Sequence, residues 1–279
     1  MTTPVIPLIP LNSGTAIPQI GLGTYPLDDE RLAAAIAEVA PLGYRHIDTA
    51  TRYGNEAGVG EGIRRTGIPR EEFFVTTKLD GEFQGDDRAI GGLDAALDRM
   101  GLDYVDLLLM HWPLPQRGLF VDTWRTFERL HAEGRARAIG VSNFKPAHLE
   151  RLAAECEVVP AVNQIQLNPF ITRREQRGYD EAHGIVTESW SPLGGSRATA
   201  LAAPEVIRIA ERLGVTPAQV VVRWHVQQGL VVIPKTSSAD RARQNLEVFG
   251  FELDDADLAA IATLDEGPDA GVDSDVEGH

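Results

Sequence analysis

A single cysteine, Cys156, among 279 residues excludes an intrachain disulfide and any zinc site assembled from several thiolates. It closes the helix-like run Leu152-Ala153-Ala154-Glu155 and so reads as a packed helix-end residue rather than a reactive thiol. No uninterrupted apolar stretch reaches the ~20 residues of a membrane span. Met1 to Pro10 also lacks the basic stretch followed by an apolar core that marks a secretory leader, and a cytoplasmic protein is expected. Basic residues are few: 26 Lys and Arg stand against 41 Asp and Glu, a formal charge of -15. Such a surface repels nucleic acid and anionic membrane, so any anionic ligand needs a local basic pocket. A glycine-rich dinucleotide fingerprint is missing too. Gly58-Val59-Gly60-Glu61-Gly62 fails the required spacing and lies in a helix-like pattern rather than after a strand.

What the chain does have is alternation. Apolar content of 43% suffices for one large core, and no linker or repeat divides residues 1–279, so one domain is expected. Leu32, Ile36, Val39 and Ala40 share a helical face after the acidic start Asp28-Asp29-Glu30, with Gly43 as a stop. Strand-like runs end at Asp48, Lys78 and His111. Further strands are expected at Ala136 to Val141, Ala161 to Ile165, Val186 to Trp190 and Leu230 to Ile233, with amphipathic stretches between them. Thr216-Pro217-Ala218-Gln219 has the form of a capping box opening a helix through Val226. Val5 to Ile17 suits a hairpin turning at Asn12 to Gly14 that could plug a barrel floor. The acidic, glycine-containing stretch 265–279 is expected to loop loosely.

Asp48, Lys78 and His111 are about one strand-helix-strand unit apart, a spacing with which a parallel barrel brings them to one mouth. Tyr53 lies just beyond Asp48, where strand gives way to loop. A phenol is a poor acid at neutral pH unless a neighbouring cation favours its phenolate. Lys78 could supply that charge, with Asp48 keeping the ammonium ionised, while His111 could orient a substrate carbonyl beside the phenol. Singly, each residue has a plainer explanation in packing, ion pairing or strand capping. A metal-dependent hydrolase using His46, Asp48, a modified Lys78 and His111 is another reading of the same cluster.

Six ordered motifs resemble the aldo-keto reductase family, especially its bacterial branch with the 2,5-diketogluconate reductases. They are Gly43-Tyr44-Arg45-His46-Ile47-Asp48-Thr49-Ala50, Tyr53-Gly54-Asn55-Glu56, Thr76-Thr77-Lys78-Leu79, Leu108-Leu109-Met110-His111-Trp112-Pro113, Ile139-Gly140-Val141-Ser142-Asn143-Phe144 and Ile233-Pro234-Lys235. The resemblance implies a (β/α)₈ TIM barrel with the hairpin closing its floor. It also implies a nicotinamide cofactor and a tetrad of Asp48, Tyr53, Lys78 and His111, with Tyr53 as general acid. A cofactor-binding regulatory or redox-sensing protein on the same barrel is the alternative.

The same resemblance points to Ser142, Asn143 and Gln164 for the nicotinamide carboxamide and Trp190 for stacking on the ring. Ser191, Leu193 and Gly194 would pass along the pyrophosphate. Lys235-Thr236-Ser237-Ser238-Ala239-Asp240-Arg241 is the basic, hydroxyl-rich pocket an acidic protein needs. Lys235, Thr236, Ser237 and Arg241 would pair the adenosine 2'-phosphate, favouring NADPH over NADH, and Asn245 matches the family's adenine contact. Tyr25, Trp112 and Phe83 would wall the substrate pocket. Departures are Asp80, where tryptophan is usual, Gln166 and Asn168 for glutamate and histidine, and Gln244 where many relatives carry glutamate. Small aldehydes, ketones or dicarbonyls are the expected substrates of a monomer that needs neither metal nor macromolecular partner.

Overall fold

In a computed structural model that describes residues 6–195 and 199–279, the chain opens on an antiparallel hairpin of β1 (Leu8–Pro10) and β2 (Ala16–Pro18), pairing Ile9 with Ile17. Val5, the expected first residue of the hairpin, lies outside the described residues, as do residues 196–198 after Gly194. Eight parallel strands follow, each beside the next: β3 (Gly21–Gly23), β4 (His46–Asp48), β5 (Phe74–Leu79), β6 (Val105–Met110), β7 (Ala136–Ser142), β8 (Val162–Gln166), β9 (Val186–Trp190) and β10 (Val231–Val232). Bridges from Ile20 to Val232 and from Gly23 to Lys235 join the last strand to the first and close the expected barrel.

Between the strands run α1 (Asp29–Val39), α2 (Glu56–Thr66), α3 (Asp86–Met100), α4 (Phe120–Ala132), α5 (Pro146–Glu155), α6 (Arg174–Ala182), α7 (Pro204–Leu213) and α8 (Pro217–Gln227), with α9 (Ala239–Leu246) and α10 (Asp255–Ala262) after β10. Local chemistry sets their ends. Asp28 caps α1 by accepting from the Arg31 N–H, and Thr216 with Gln219 forms the expected reciprocal box at α8. The Gly58, Gly60 and Gly62 run lies inside α2, which disposes of any phosphate-loop role. A Cβ on Gly58 would come within 2.5 Å of the Asp29 carbonyl, and one on Gly60 would collide with the Met100 carbonyl. These glycines let α2 press against α1 and α3.

The strand β3 carries no sequence signal beyond Gly21-Leu22-Gly23 and was not among the expected strands. Both glycines are required at the barrel seam: a Cβ on Gly21 would meet His46 Nδ1 at 2.5 Å, and one on Gly23 the Ile233 carbonyl at 2.7 Å.

Side chains alternate across each strand, so every second residue faces the barrel axis. Low in the barrel, Phe74, Leu107, Ala138, Val162 and Val231 form an apolar cluster with Leu11 and Ile17 of the hairpin, which thereby closes the floor. Higher on the same period of two, β5 presents Thr76 and Lys78, β8 Gln164 and β9 Glu188, all buried. An apolar lower layer thus supports a polar upper one at the C-terminal ends of the strands, where barrel chemistry is placed.

The stretch 265–279 has no helix or strand, but it makes specific contacts along its length. Asp265 accepts from Thr172 at 2.6 Å, Gln166 accepts from the Val272 N–H at 2.8 Å, and Arg173 donates to the Val272 carbonyl at 2.7 Å. Lys145 pairs with Asp273 and Asp275, and the His279 carbonyl accepts from the Gly81 N–H at 3.0 Å. Partners far away in the sequence tie down a segment whose own composition is that of a loop. Cys156 sits at the end of α5, its thiol pushed up to about 11 by burial and nearby acidic groups. Among the described residues no helix is long and apolar enough to cross a membrane.

Candidate active site

Asp48 ends β4, and Lys78 projects from the neighbouring β5 two residues beyond Asp48's register partner Thr76. The long lysine side chain bends back so that Nζ donates to Asp48 Oδ1 at 2.6 Å and to the Thr49 carbonyl at 3.0 Å. Both side chains are at most 2% exposed, and two charges out of water hold only when geometry and further hydrogen bonds compensate. The second Asp48 oxygen, Oδ2, accepts from Gln164 Nε2 at 2.7 Å. Burial works against the Lys78 ammonium, but Asp48, Tyr53 and Glu188 outweigh it and hold its pKa above the ordinary lysine value.

Tyr53 ends a single turn, Thr51–Tyr53, that begins three residues after β4 and is anchored by Thr51 Oγ1 donating to the Lys78 carbonyl at 3.0 Å. Its ring centroid is 5.1 Å from Lys78 Nζ, close enough for the ammonium to pull on the phenol's proton. The expected net acidification does not appear. Burial raises the phenol above its ordinary value and Lys78 pulls it down by less, so Tyr53 holds its proton firmly at neutral pH. His111 stands just past β6, its N–H bonded to the Leu79 carbonyl at 3.0 Å and its ring 6.0 Å from that of Tyr53, nearly perpendicular. Burial, then Lys78, His279 and Arg52, hold it well below the usual histidine range, so it is neutral.

Beneath this group lies a residue that the motifs did not single out. Glu188 is fully buried on β9, accepts from Gln164 Nε2 at 2.9 Å, and has its carboxyl pushed up to about 8 by burial and by Asp48. His46, 3.6 Å away, is driven down to about 3, chiefly by burial. Both are uncharged at neutral pH, so their contact is not an ion pair. The available signal was an ionisable residue at an inward position of the buried run Val186-Thr187-Glu188-Ser189-Trp190.

The residues named for the nicotinamide end fall into one network beside the tetrad. Asn143 Nδ2 donates to the His111 carbonyl and to Ser142 Oγ, each at 3.1 Å. Ser142 Oγ donates to the Gln164 carbonyl at 2.7 Å, and Trp190 Nε1 donates to Asn143 Oδ1 at 2.9 Å. Since Gln164 Nε2 serves both carboxyls below it, its amide oxygen is the end left for a ligand. Asn143 and Ser191 have φ of 63° and 53°, left-handed conformations that cost non-glycine residues energy and collect at ligand sites. Leu193 packs against the core instead of lying open, and Gly194 turns at a φ of 94°.

A second group gathers at the start of α9. Ser238 caps that helix, Thr236 Oγ1 accepts from the Ser238 N–H at 3.1 Å, and Arg241 Nε donates to Thr236 Oγ1 at 3.3 Å. Lys235, Ser237 and Arg241 are exposed, and neither cation pairs with a carboxylate among the described residues. Gly23 shares register with both Asp48 and Lys235, which puts the two groups on one rim. Asn245 is buried beside the Tyr44 hydroxyl, which donates to the Ala242 carbonyl at 3.2 Å.

Around the mouth, Tyr25 is 64% exposed with its ring 5.2 Å from Tyr53, and the buried Trp112 stacks beside His111 at 6.3 Å. Phe83 is half-buried and leans on α3 at Gly92, packed against the core. His46 lies down in the barrel interior, bonded to Thr76, and Lys78 is an ion-paired ammonium, so the hydrolase metal cluster is not assembled.

Comparison with known proteins bears on this geometry. The model of the Aldo/keto reductase family matches residues 18–266. The chain is 47% identical over 267 residues to an aldo-keto reductase of Mycolicibacterium smegmatis, covering 96% of each. It is 42% identical over 275 residues to the methylglyoxal reductase DkgA of Salmonella typhimurium, covering 99% of this chain and 98% of that one. A solved structure of a Gox0644 variant in complex with NADPH superposes with a TM-score of 0.93 at 41% identity, covering 99% of this chain and all of the other.

Proposed function

The chain belongs to the aldo/keto reductase family, and from that premise we propose that it reduces aldehydes, ketones or dicarbonyls to alcohols with NADPH, Tyr53 serving as the acid. The observation that carries the reading is the buried Lys78 ammonium, which donates to Asp48 at 2.6 Å and lies 5.1 Å from the Tyr53 ring centroid. When bound, NADPH supplies the hydride that reduces the carbonyl carbon. Tyr53 supplies the proton to the carbonyl oxygen. Its raised pKa keeps the acid loaded at neutral pH, and Lys78 stabilises the phenolate left behind, lessening the cost of transfer. Neutral His111, able to donate but carrying no charge, steers the carbonyl oxygen toward the phenol.

The residues present suit the cofactor. Two exposed, carboxylate-free cations, Lys235 and Arg241, stand with hydroxyls at a helix N-terminus in a strongly acidic protein, which is the arrangement that binds phosphate. Ser142, Asn143, Gln164 and Trp190 would hold the nicotinamide end, Ser191, Leu193 and Gly194 the pyrophosphate, and Asn245 the adenine. Tyr25 and Trp112 would flank the substrate. We also place the chain near the branch of the 2,5-diketogluconate reductases, and the relative named methylglyoxal reductase favours small dicarbonyls.

The test is Tyr53→Phe, followed by NADPH fluorescence for binding and nicotinamide absorbance for turnover. Cofactor affinity should stay within about twofold while kcat falls at least ~100-fold. Wild-type turnover of an aldehyde by the variant would refute the acid assignment.

A further inference from the structure

Just past β5 and β6, two buried polar atoms have no hydrogen-bond partner among the described residues: Asp80 Oδ1 and His111 Nδ1. Leaving such atoms unsatisfied in a buried site is unfavourable. Between them comes a third donor. His279 Nε2 is 3.6 Å from Asp80 Oδ1, which is itself 3.9 Å from His111 Nδ1. One ligand atom of each of the three residues lies within 4.8 Å of the other two.

We propose that Asp80, His111 and His279 bind a divalent transition-metal ion of the zinc kind, which fastens segment 271–279 across the barrel mouth. Tetrahedral zinc with ligands at about 2.0–2.1 Å separates its donors by ~3.3 Å, so the contacts to Asp80 at 3.6 and 3.9 Å, and the two imidazole nitrogens within 4.8 Å of each other, must draw together on binding. One carboxylate and two imidazoles suit zinc, and three protein donors leave a fourth position for water. Two cations face the site, and both are already paired: Arg52 with Asp80 Oδ2 at 3.3 Å, Lys78 with Asp48. The carrier segment is held in place independently of any metal, by Gly81 to the His279 carbonyl and by Gly278 lying against Trp112 and Leu114. The site shares His111 with the proposed reaction centre but requires neither cofactor nor carbonyl.

Titration calorimetry of the full chain with Zn²⁺, without NADPH or substrate, tests it apart from the reductase reading. About one equivalent should bind, and His279→Gln and Asp80→Asn should each weaken binding at least ~tenfold. His279 is 36% exposed, so its replacement leaves the core intact. Co²⁺ in place of Zn²⁺ should show the visible absorption of a tetrahedral site, and Zn²⁺ should slow hydrogen exchange of amides 272–277. Absence of binding, or wild-type affinity in both variants, would overturn the proposal whether or not the protein reduces carbonyls.

Discussion

Glu188→Gln probes the buried layer under the tetrad. The glutamine places an amide nitrogen where the protonated acid keeps its hydroxyl oxygen, and it can still accept the 2.9 Å hydrogen bond from Gln164, so the fold should tolerate it. In the native protein the carboxyl titrates near 8, against about 4.3 in an unfolded chain. The folded state therefore keeps a proton that the unfolded state has released throughout that interval. Stability from this group is fully present below the unfolded pKa and declines as pH rises toward 8, at ~1.4 kcal/mol per unit. Between pH 6 and pH 8 the wild type should lose about 2–3 kcal/mol through Glu188 alone. Urea denaturation of both proteins at the two pH values measures it: the variant should lose that much less than the wild type, since the other titrating groups are shared. Identical pH dependence in the two proteins would mean that Glu188 is ionised in the native state and that the neutral layer does not exist.

Lys78→Met removes the cation but leaves Asp48 buried without it. Turnover should fall at least ~100-fold, and a destabilisation of about 3–5 kcal/mol should appear in the same denaturation assay. Lys235→Ala and Arg241→Ala should each raise the Michaelis constant for NADPH about tenfold or more and leave that for NADH nearly unchanged; equal effects on both cofactors would detach these cations from the 2'-phosphate.

Legibility along the chain followed how local each signal is. Asp48, Lys78 and His111 could be read because each ends an apolar run long enough to be a buried strand, and parallel strands deliver such ends to one rim. The Thr216 and Gln219 box was legible because both partners lie within one turn. The strand β3 was not, since three residues with two glycines carry no pattern, and the need for those glycines arises only where the closing seam brings His46 and Ile233 against them. Phe83 follows a strand, but that its ring rests half-buried on Gly92 could not be read from the sequence.

The sequence by itself indicated the alternation of most strands and helices and put Asp48, Lys78 and His111 at the ends of apolar runs, because strand period, helix caps and strand-end chemistry are short-range properties, while the resemblance to the aldo-keto reductases supplied the closed barrel and the candidate tetrad. Tertiary structure alone decided protonation and closure. Whether Tyr53 is more or less acidic depends on how completely it is buried as well as on the charge of Lys78, and burial is a sum over the whole packed molecule. The joining of His279 to Asp80 and His111 likewise depends on chain segments nearly two hundred residues apart. No local pattern encodes contacts that exist only once the rest of the chain has folded beneath them.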